Sequence, residues 1–265
     1  LGEPIANLLC QGMVLKGGTA MSKSKGNVVD PDDMVRRYGA DTTRLFTLFA
    51  APPEKDLEWN EKGVEGCFRF VERVWRLLMP RAADLARAPL PKDGDGASDA
   101  RRAALRRRVH QTIDRVTVDI ERRLHLNTPV AALMELLNAL QDFVKDAPEG
   151  DLPYLKEAGM AMALLLQPFA PHISEELWES LGGQGSVARQ PWPAAAARWL
   201  VEDEVEIAVQ VNGRLRGRLL VPPSLSKAEA LSRARADSHV AAHLEGRSVL
   251  KTIYLQGKLL NIVVG

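Results

Sequence analysis

Cysteine is scarce: Cys10 and Cys67 are the only two in 265 residues. Two thiols so far apart cannot build a Cys-rich zinc site or a disulfide framework, and a reducing, cytoplasmic setting is expected. Long apolar runs are missing as well. No stretch approaches the roughly 20 residues that a membrane span needs, so no membrane association is expected. The longest apolar patch, Met160 to Leu166, reads as part of a buried helix. No basic start and apolar middle follow Leu1, so no secretory signal is expected within these residues, which read as a piece of a longer chain. The histidines, His110, His125, His172, His239 and His243, share no ligand spacing with cysteine or carboxylates. They are expected at surfaces or helix ends, and no metal site is expected. Net charge is only +1, which by itself gives no argument for nucleic acid.

The distribution of charge says more. From Arg101 to Arg123 there are 8 Arg against 3 acids, and from Val211 to Gly265 9 Lys/Arg against 3 acids. Such patches can follow a phosphate backbone, and they can equally be solvated surface. With 46% hydrophobic and 26% charged residues, the chain has the make-up of two globular domains or one large one.

Helix signals begin at Asp30-Pro31-Asp32-Asp33, where Asp30 can cap and Pro31 suits the first helical position. A short helix from about Asp41 carries Leu45 and Leu48 and ends at Pro52-Pro53. Beyond Glu61 the period is helical for over a hundred residues. Val64, Phe68, Val71, Trp75 and Leu78 predict one apolar stripe. Leu105, Val109, Ile113, Val116, Ile120 and Leu124 predict the next, with the arginines largely off it, after a loop from Ala88 to Ala100. Asn127-Thr128-Pro129 is expected to cap a helix to about Val144; further helices follow over 152–167 and 173–181, and a loop over 182–197. Consecutive helices with short connections argue for an antiparallel bundle.

The period then changes to two. Val205, Ile207, Val209 and Val211 alternate with polar or small residues up to the hairpin signal Asn212-Gly213. The return strand is expected to place Arg214, Arg216 and Arg218 on one face and Leu215 and Leu219 on the other. Three cations on one strand face repel unless they meet an anion or open solvent. A helix from Ser226 with Glu229 in a capping box, then strands 249–255 and 259–264 around Gln256-Gly257, complete a ββαββ unit. Trp59, Trp75, Trp178, Trp192 and Trp199 could stack on bases, although those on helical stripes are expected in the core.

The densest chemistry lies in Lys16-Gly17-Gly18-Thr19-Ala20-Met21-Ser22-Lys23-Ser24-Lys25-Gly26-Asn27. Glycines free the backbone, hydroxyls and N–H groups donate, and the lysines are mobile point charges, a combination suited to polyphosphate. A positioned ammonium that meets charge building on a leaving group lowers the barrier by roughly 3 kcal/mol. The Walker A spacing is absent. A solvated flexible loop has the same composition.

Met21-Ser22-Lys23-Ser24, extended by Lys25-Gly26-Asn27 and followed by Val28-Val29-Asp30-Pro31, resembles the second signature loop of class I aminoacyl-tRNA synthetases. That motif normally reads Lys-Met-Ser-Lys-Ser, and Ala20 stands where the family has its first lysine. The segments from Tyr38 to Arg44 and from Asp56 to Trp59 resemble the family's stem-contact region. Pro168 to Trp178 is similar to a bundle segment of the leucyl, isoleucyl, valyl and methionyl enzymes. The segments from Val209 to Arg214 and from Ile253 to Asn261 resemble the small C-terminal domain of the bacterial leucyl enzymes.

The resemblance implies a mainly α chain with a small α+β end. Residues 1–60 would be the tail of a Rossmann-like catalytic core, 61–200 an anticodon-binding-type helical bundle and 201–265 a tRNA-binding ββαββ domain. It implies that Met21, Ser22, Lys23 and Ser24 bind ATP (with Mg2+) and that Lys23 stabilises pyrophosphate as the aminoacyl-adenylate forms. Arg214, Arg216, Arg218 and Lys258 would contact leucine tRNA. The His-Ile-Gly-His signature, most of the nucleotide fold and the editing domain would lie outside these residues. ATP and leucine would then be met through that other half, the fragment alone would be inactive, and a monomer is expected. A freestanding tRNA-binding module without chemistry, or the matching part of an isoleucyl or valyl enzyme, are the rival readings.

Overall fold

The computed structural model describes residues 2, 5, 8–145, 148–201, 205–222 and 225–265, and not the side chain of Val205. Leu1 therefore lies outside the described residues. The chain divides into two compact units, Leu1–Leu200 and Val201–Gly265.

The first unit opens with a small sheet that no periodicity announces. Strand β1 (Val14–Lys16) pairs antiparallel with β2 (Thr19–Ala20) and parallel with β3 (Leu57–Glu58). Gly17 and Gly18 join β1 to β2 at φ 65° and 71°; positive φ at both central residues is what a type I′ hairpin needs. A 3-10 turn, Lys23–Lys25, and helices α1 (Pro31–Tyr38) and α2 (Ala40–Phe49) lie between β2 and β3. Asp30 caps α1 by accepting from the Asp32 N–H at 2.9 Å.

Among the described residues, the α-helices that follow are α3 (Glu61–Leu78), α4 (Ala82–Arg87), α5 (Ala100–Glu121), α6 (Asn127–Val144), α7 (Leu152–Leu166) and α8 (Pro171–Ser180). Helix α7 is buried nearly all round, including Met162, Ala163, Leu165 and Leu166, and both α5 and α8 pack on it. A helix apolar on every side is a core helix. The stripe expected on α3 is rotated. Val64, Cys67, Phe70, Val74 and Leu78 are buried, whereas Trp75 is 39% exposed and Phe68 and Val71 are half-buried. The rotation is roughly 60°, less than one residue step of an α-helix. It buries Cys67 and Val74 and leaves Phe68 half-buried, packed edge-on against Tyr38 at 5.9 Å.

On α5, Leu105, Val109, Ile113 and Val116 are buried as the stripe predicts; Ile120 is half-buried, and Leu124 lies beyond the helix, exposed, at φ 53°. Arg106 is only 3% exposed, so the arginines are not all off the buried face. Helix α6 begins at Asn127 without a side-chain cap. Asn127 and Thr128 fall inside its first turn, where Asn127 Oδ1 and Thr128 Oγ are buried without partners.

The second unit is one sheet with helices on one face. Strands β4 (Val205–Val211), β5 (Arg214–Val221), β6 (Val249–Leu255) and β7 (Leu259–Val264) lie in the order β5-β4-β7-β6. The central pair β4–β7 is parallel and the outer pairs are antiparallel hairpins. Helices α9 (Lys227–Ala236) and α10 (Ser238–Ala241) cover Ile207, Val209, Leu260 and Ile262 with Ala230, Ala234 and Val240. Ser226 and Glu229 form the capping box that their spacing predicts.

A bulge interrupts the β4–β5 ladder. Val209 pairs with Gly217 but Gln210 with Leu215, so Arg216 is the extra residue. Gly217 is needed there, because a Cβ would lie 2.8 Å from Val240 Cγ2. The alternation of β5 therefore reverses across the bulge. Leu219 opposes the inward Ile207, Arg218 opposes Ala208 on the open face, and Arg214 opposes the inward-facing Val211 at the hairpin end. Arg214, Arg216 and Arg218 do not share one face, contrary to the expectation from strict alternation. Leu215 and Leu220 stand on the open face instead, 52% and 62% exposed.

Candidate functional site: the signature loop, its frame and the basic segments

Ser22 starts the 3-10 turn, with its Oγ accepting from the Lys25 N–H at 3.3 Å and standing 2.9 Å from Ser24 Oγ. Gly26 closes the turn at φ 64° and donates to Lys23 O at 3.2 Å. Lys23 and Lys25 are exposed; Met21, Ser22 and Ala20 are half-buried. The result is a short capped turn that leaves Lys23 and Lys25 exposed, able to meet a polyanion.

The frame beneath the loop comes from the other family-like segments. Glu58 accepts from the Gly17 and Gly18 N–H groups at 2.6 and 3.2 Å, and Asp56 accepts from the Met13 N–H at 2.9 Å. Trp59 packs edge-on against Phe46 at 5.0 Å, tying the strand to α2. Helix α8 has no side-chain cap of its own at Ala170. Asp41 of α2 supplies one, accepting from the His172 N–H at 3.2 Å and the Ile173 N–H at 2.7 Å, and meeting His172 Nδ1 at 2.8 Å. Arg44 donates from Nε and Nη2 to Pro168 O at 3.2 and 3.0 Å. The Tyr38–Arg44 and Pro168–Trp178 segments are thus bonded partners across about 130 positions. Each is legible as a motif, but their pairing is not.

Much of the arginine excess on α5 is used inside the unit. Arg101 and Arg102 both bind the buried Asp151, the latter at 2.7 Å. Arg106 holds Glu157 bidentately at 2.9 and 2.7 Å, donates to Lys92 O and Asp95 O at 2.9 Å each, and lies 4.7 Å from the Trp199 ring centre. Arg108 and Arg115 share Glu135, and Arg123 binds Asp119. Burial pushes the Glu157 carboxyl upward, but neighbouring His110 and Arg106 outweigh it and hold its pKa below the ordinary 4.5. His110 is itself buried, stacks on Trp199 at 6.5 Å and accepts from the Ala196 N–H at 3.2 Å, so it is no surface histidine.

In the second unit, Arg218 pairs with Glu206 at 2.7 Å, while among the described residues no ion pair engages Arg214 or Arg216. Lys258 is exposed on the β6–β7 turn, where its carbonyl accepts from the Ala208 N–H. Lys258 and Arg218 therefore flank Ala208, and Arg214 lies three residue steps, roughly 10 Å, further along β4. Cys10 and Cys67 are both free, and burial raises the Cys67 thiol to about 11. No described helix is long and apolar enough to cross a membrane, and among the described residues no three His, Cys, Asp or Glu side chains gather as a metal group.

Two family models match. That of the class I tRNA synthetases (I, L, M and V) covers residues 2–60, and that of the anticodon-binding domain of tRNA ligase covers residues 103–231. Leucine–tRNA ligase of Geotalea uraniireducens (strain Rf4) is 49% identical over 272 aligned residues, covering 100% of this chain and 32% of that protein. Leucine–tRNA ligase of Syntrophobacter fumaroxidans is 50% identical over 264 residues, covering 99% of this chain and 32% of that protein. The chain thus spans about a third of the length of the curated relatives it matches. A solved structure, the ternary complex of Agrobacterium radiobacter K84 agnB2 LeuRS with tRNA and LeuAMS, superposes with TM-score 0.82 at 32% identity. That match covers 96% of this chain and 33% of the other. The loop at Lys23, the helical bundle and the four-stranded end therefore belong together: the chain is a member of the class I aminoacyl-tRNA synthetases, corresponding to the C-terminal part of leucyl-tRNA synthetase.

Proposed function

We propose that this chain is the tRNA-holding part of an ATP-dependent leucine–tRNA ligase and lends the signature loop to its active site. In the first step a leucine carboxylate oxygen attacks the α-phosphorus of ATP, and the bond to pyrophosphate breaks. In the second a ribose hydroxyl of the tRNA attacks the leucyl carbonyl and AMP leaves. Lys23 serves the first step by meeting the charge that builds on pyrophosphate. Met21, Ser22 and Ser24 shape the same ATP-facing turn, whose donors are ammonium, hydroxyl and N–H groups. Mg2+ is therefore left to the ATP phosphates.

The observation that carries this reading is a capped turn presenting Lys23 and Lys25 unobstructed, within a chain about half identical to leucine–tRNA ligases. Ala20 replaces one motif lysine, and Lys25, in the same turn, or Lys16, on β1, supplies the compensating charge. Arg214, Arg216, Arg218 and Lys258 contact the tRNA in this proposal, which then reaches both sides of the edge strand β5, and the ligase works as a cytoplasmic monomer. The likeness to a synthetase solved with tRNA supports the tRNA role. The freestanding-module reading gains nothing from the intact turn.

In the complete ligase, Lys23→Ala is expected to slow leucine-dependent ATP–pyrophosphate exchange roughly 100-fold, the equivalent of about 3 kcal/mol. Unchanged exchange would remove Lys23 from the chemistry. Charging with isoleucine or valine in preference to leucine would move the chain to a sibling ligase.

A further inference from the structure

Nothing grips the Lys23 side chain itself: among the described residues it has no hydrogen bond or ion pair. Where its ammonium sits is therefore set by the backbone below: the turn closes on itself through Ser22 and Gly26, and the Asn27 amide ties it to the hairpin. Asn27 Oδ1 accepts from the Ser22 N–H at 2.8 Å. Asn27 Nδ2 stands 3.3 Å from Ala20 O, 3.2 Å from Thr19 Oγ1 and 3.5 Å from Lys16 O. The chain enters the lysine turn at Ser22 and leaves it just before Asn27, so the amide clasps the turn at its neck. On its other edge the same group reaches β1 and β2 of the hairpin. The side chain is half-buried.

We propose that Asn27 is the positioning residue for Lys23: its amide docks the Ser22–Gly26 turn on the hairpin and fixes the lysine for adenylate formation. This rests on the reading of Lys23 given above. The geometry demands a group that accepts on one edge and donates on the other, which only a carboxamide of this length supplies. Aspartate has nearly the same shape and keeps the acceptor for Ser22, but it turns an oxygen toward the carbonyls of Lys16 and Ala20. Acceptor against acceptor repels, so aspartate is expected to do at least as badly as alanine. A requirement for size or polarity alone predicts the opposite order.

The test is ATP–pyrophosphate exchange by the complete ligase carrying Asn27→Asp, Asn27→Ala, Lys23→Ala and the double variant Lys23→Ala/Asn27→Ala. Both Asn27 variants are expected to lower kcat roughly 10- to 100-fold, the scale of a misplaced catalytic group. The KM for leucine and the affinity for tRNA should stay unchanged. On the Lys23→Ala background, Asn27→Ala should cost little more, because there is no ammonium left to position. Wild-type kcat in Asn27→Asp, or a full additional loss in the double variant, overturns the proposal. So does a fall in tRNA affinity or melting temperature matching the loss of activity. If Lys23→Ala exchanges normally, the Lys23 reading itself fails and Asn27 falls with it. If Lys23→Ala is impaired while both Asn27 variants are normal, only Asn27 is wrong.

Discussion

Cutting Arg106 back strands the Glu157 carboxylate inside the bundle with its principal partner gone. Arg106→Met is therefore expected to cost about 3–5 kcal/mol in urea unfolding, as for other broken buried pairs. Glu157→Gln should cost less, because its amide oxygen still accepts. The pair also gives acid sensitivity a defined sign. The folded Glu157 pKa is lower than its ordinary 4.5, so the stability it contributes is whole above that value. That contribution is lost as pH falls through the lower folded value. Urea midpoints measured downward from about pH 6 should fall more steeply in the native chain than in Glu157→Gln. None of this was legible in an arginine count. Eight arginines between 101 and 123 look like an outward patch, and only three-dimensional proximity shows Arg101, Arg102 and Arg106 turned onto Asp151 and Glu157.

At the level of elements, most local signals are legible in the sequence, although the cap expected at Asn127 does not form, and partnership is not legible. Asp30-Pro31, Ser226 with Glu229, and Asn212-Gly213 mark their helix starts and turn because each signal is satisfied within a few residues. Strands of two or three residues, such as β1 to β3, carry no period to read. The bulge at Arg216 arises from the close approach of Gly217 to α10, which alternation along one strand cannot reveal. The loop at Lys23 was visible as a motif, whereas the clasp by Asn27 and the support from Glu58 depend on how the hairpin folds back. Asp41 is the sharpest case of a borrowed part, since it caps a helix 130 positions away. Asp41→Ala should destabilise the first unit by about 1–2 kcal/mol, the usual scale of a lost cap near the positive end of a helix. Asp41→Asn should lose less. Thermal unfolding of both variants checks the order, and equal stability to the native chain would show that water caps α8 as well.

For the molecule as a whole, binding of tRNA is expected to weaken steeply with salt, each neutralised phosphate adding roughly 0.7–0.9 to the logarithmic slope. The structure refines which cations should matter. Arg218 already has Glu206 at 2.7 Å, so Arg218→Ala should flatten the slope less than Arg214→Ala or Arg216→Ala. Titrations of the three single variants with leucine tRNA over a range of salt decide this. Slopes unaltered in all three would take β5 off the phosphate path.

The central place of β7 has a consequence for how the second unit comes into being. As a polypeptide grows from its N-terminus, the β4–β5 hairpin emerges first, yet the neighbour that completes it, Leu259 beside Ala208, is made 51 positions later. Until then β4 offers a bare ladder of N–H and C=O groups to whatever strand is nearby. The nascent hairpin must wait, shielded or alone, and closure of this small sheet is governed by a distant pairing rather than by its local turns.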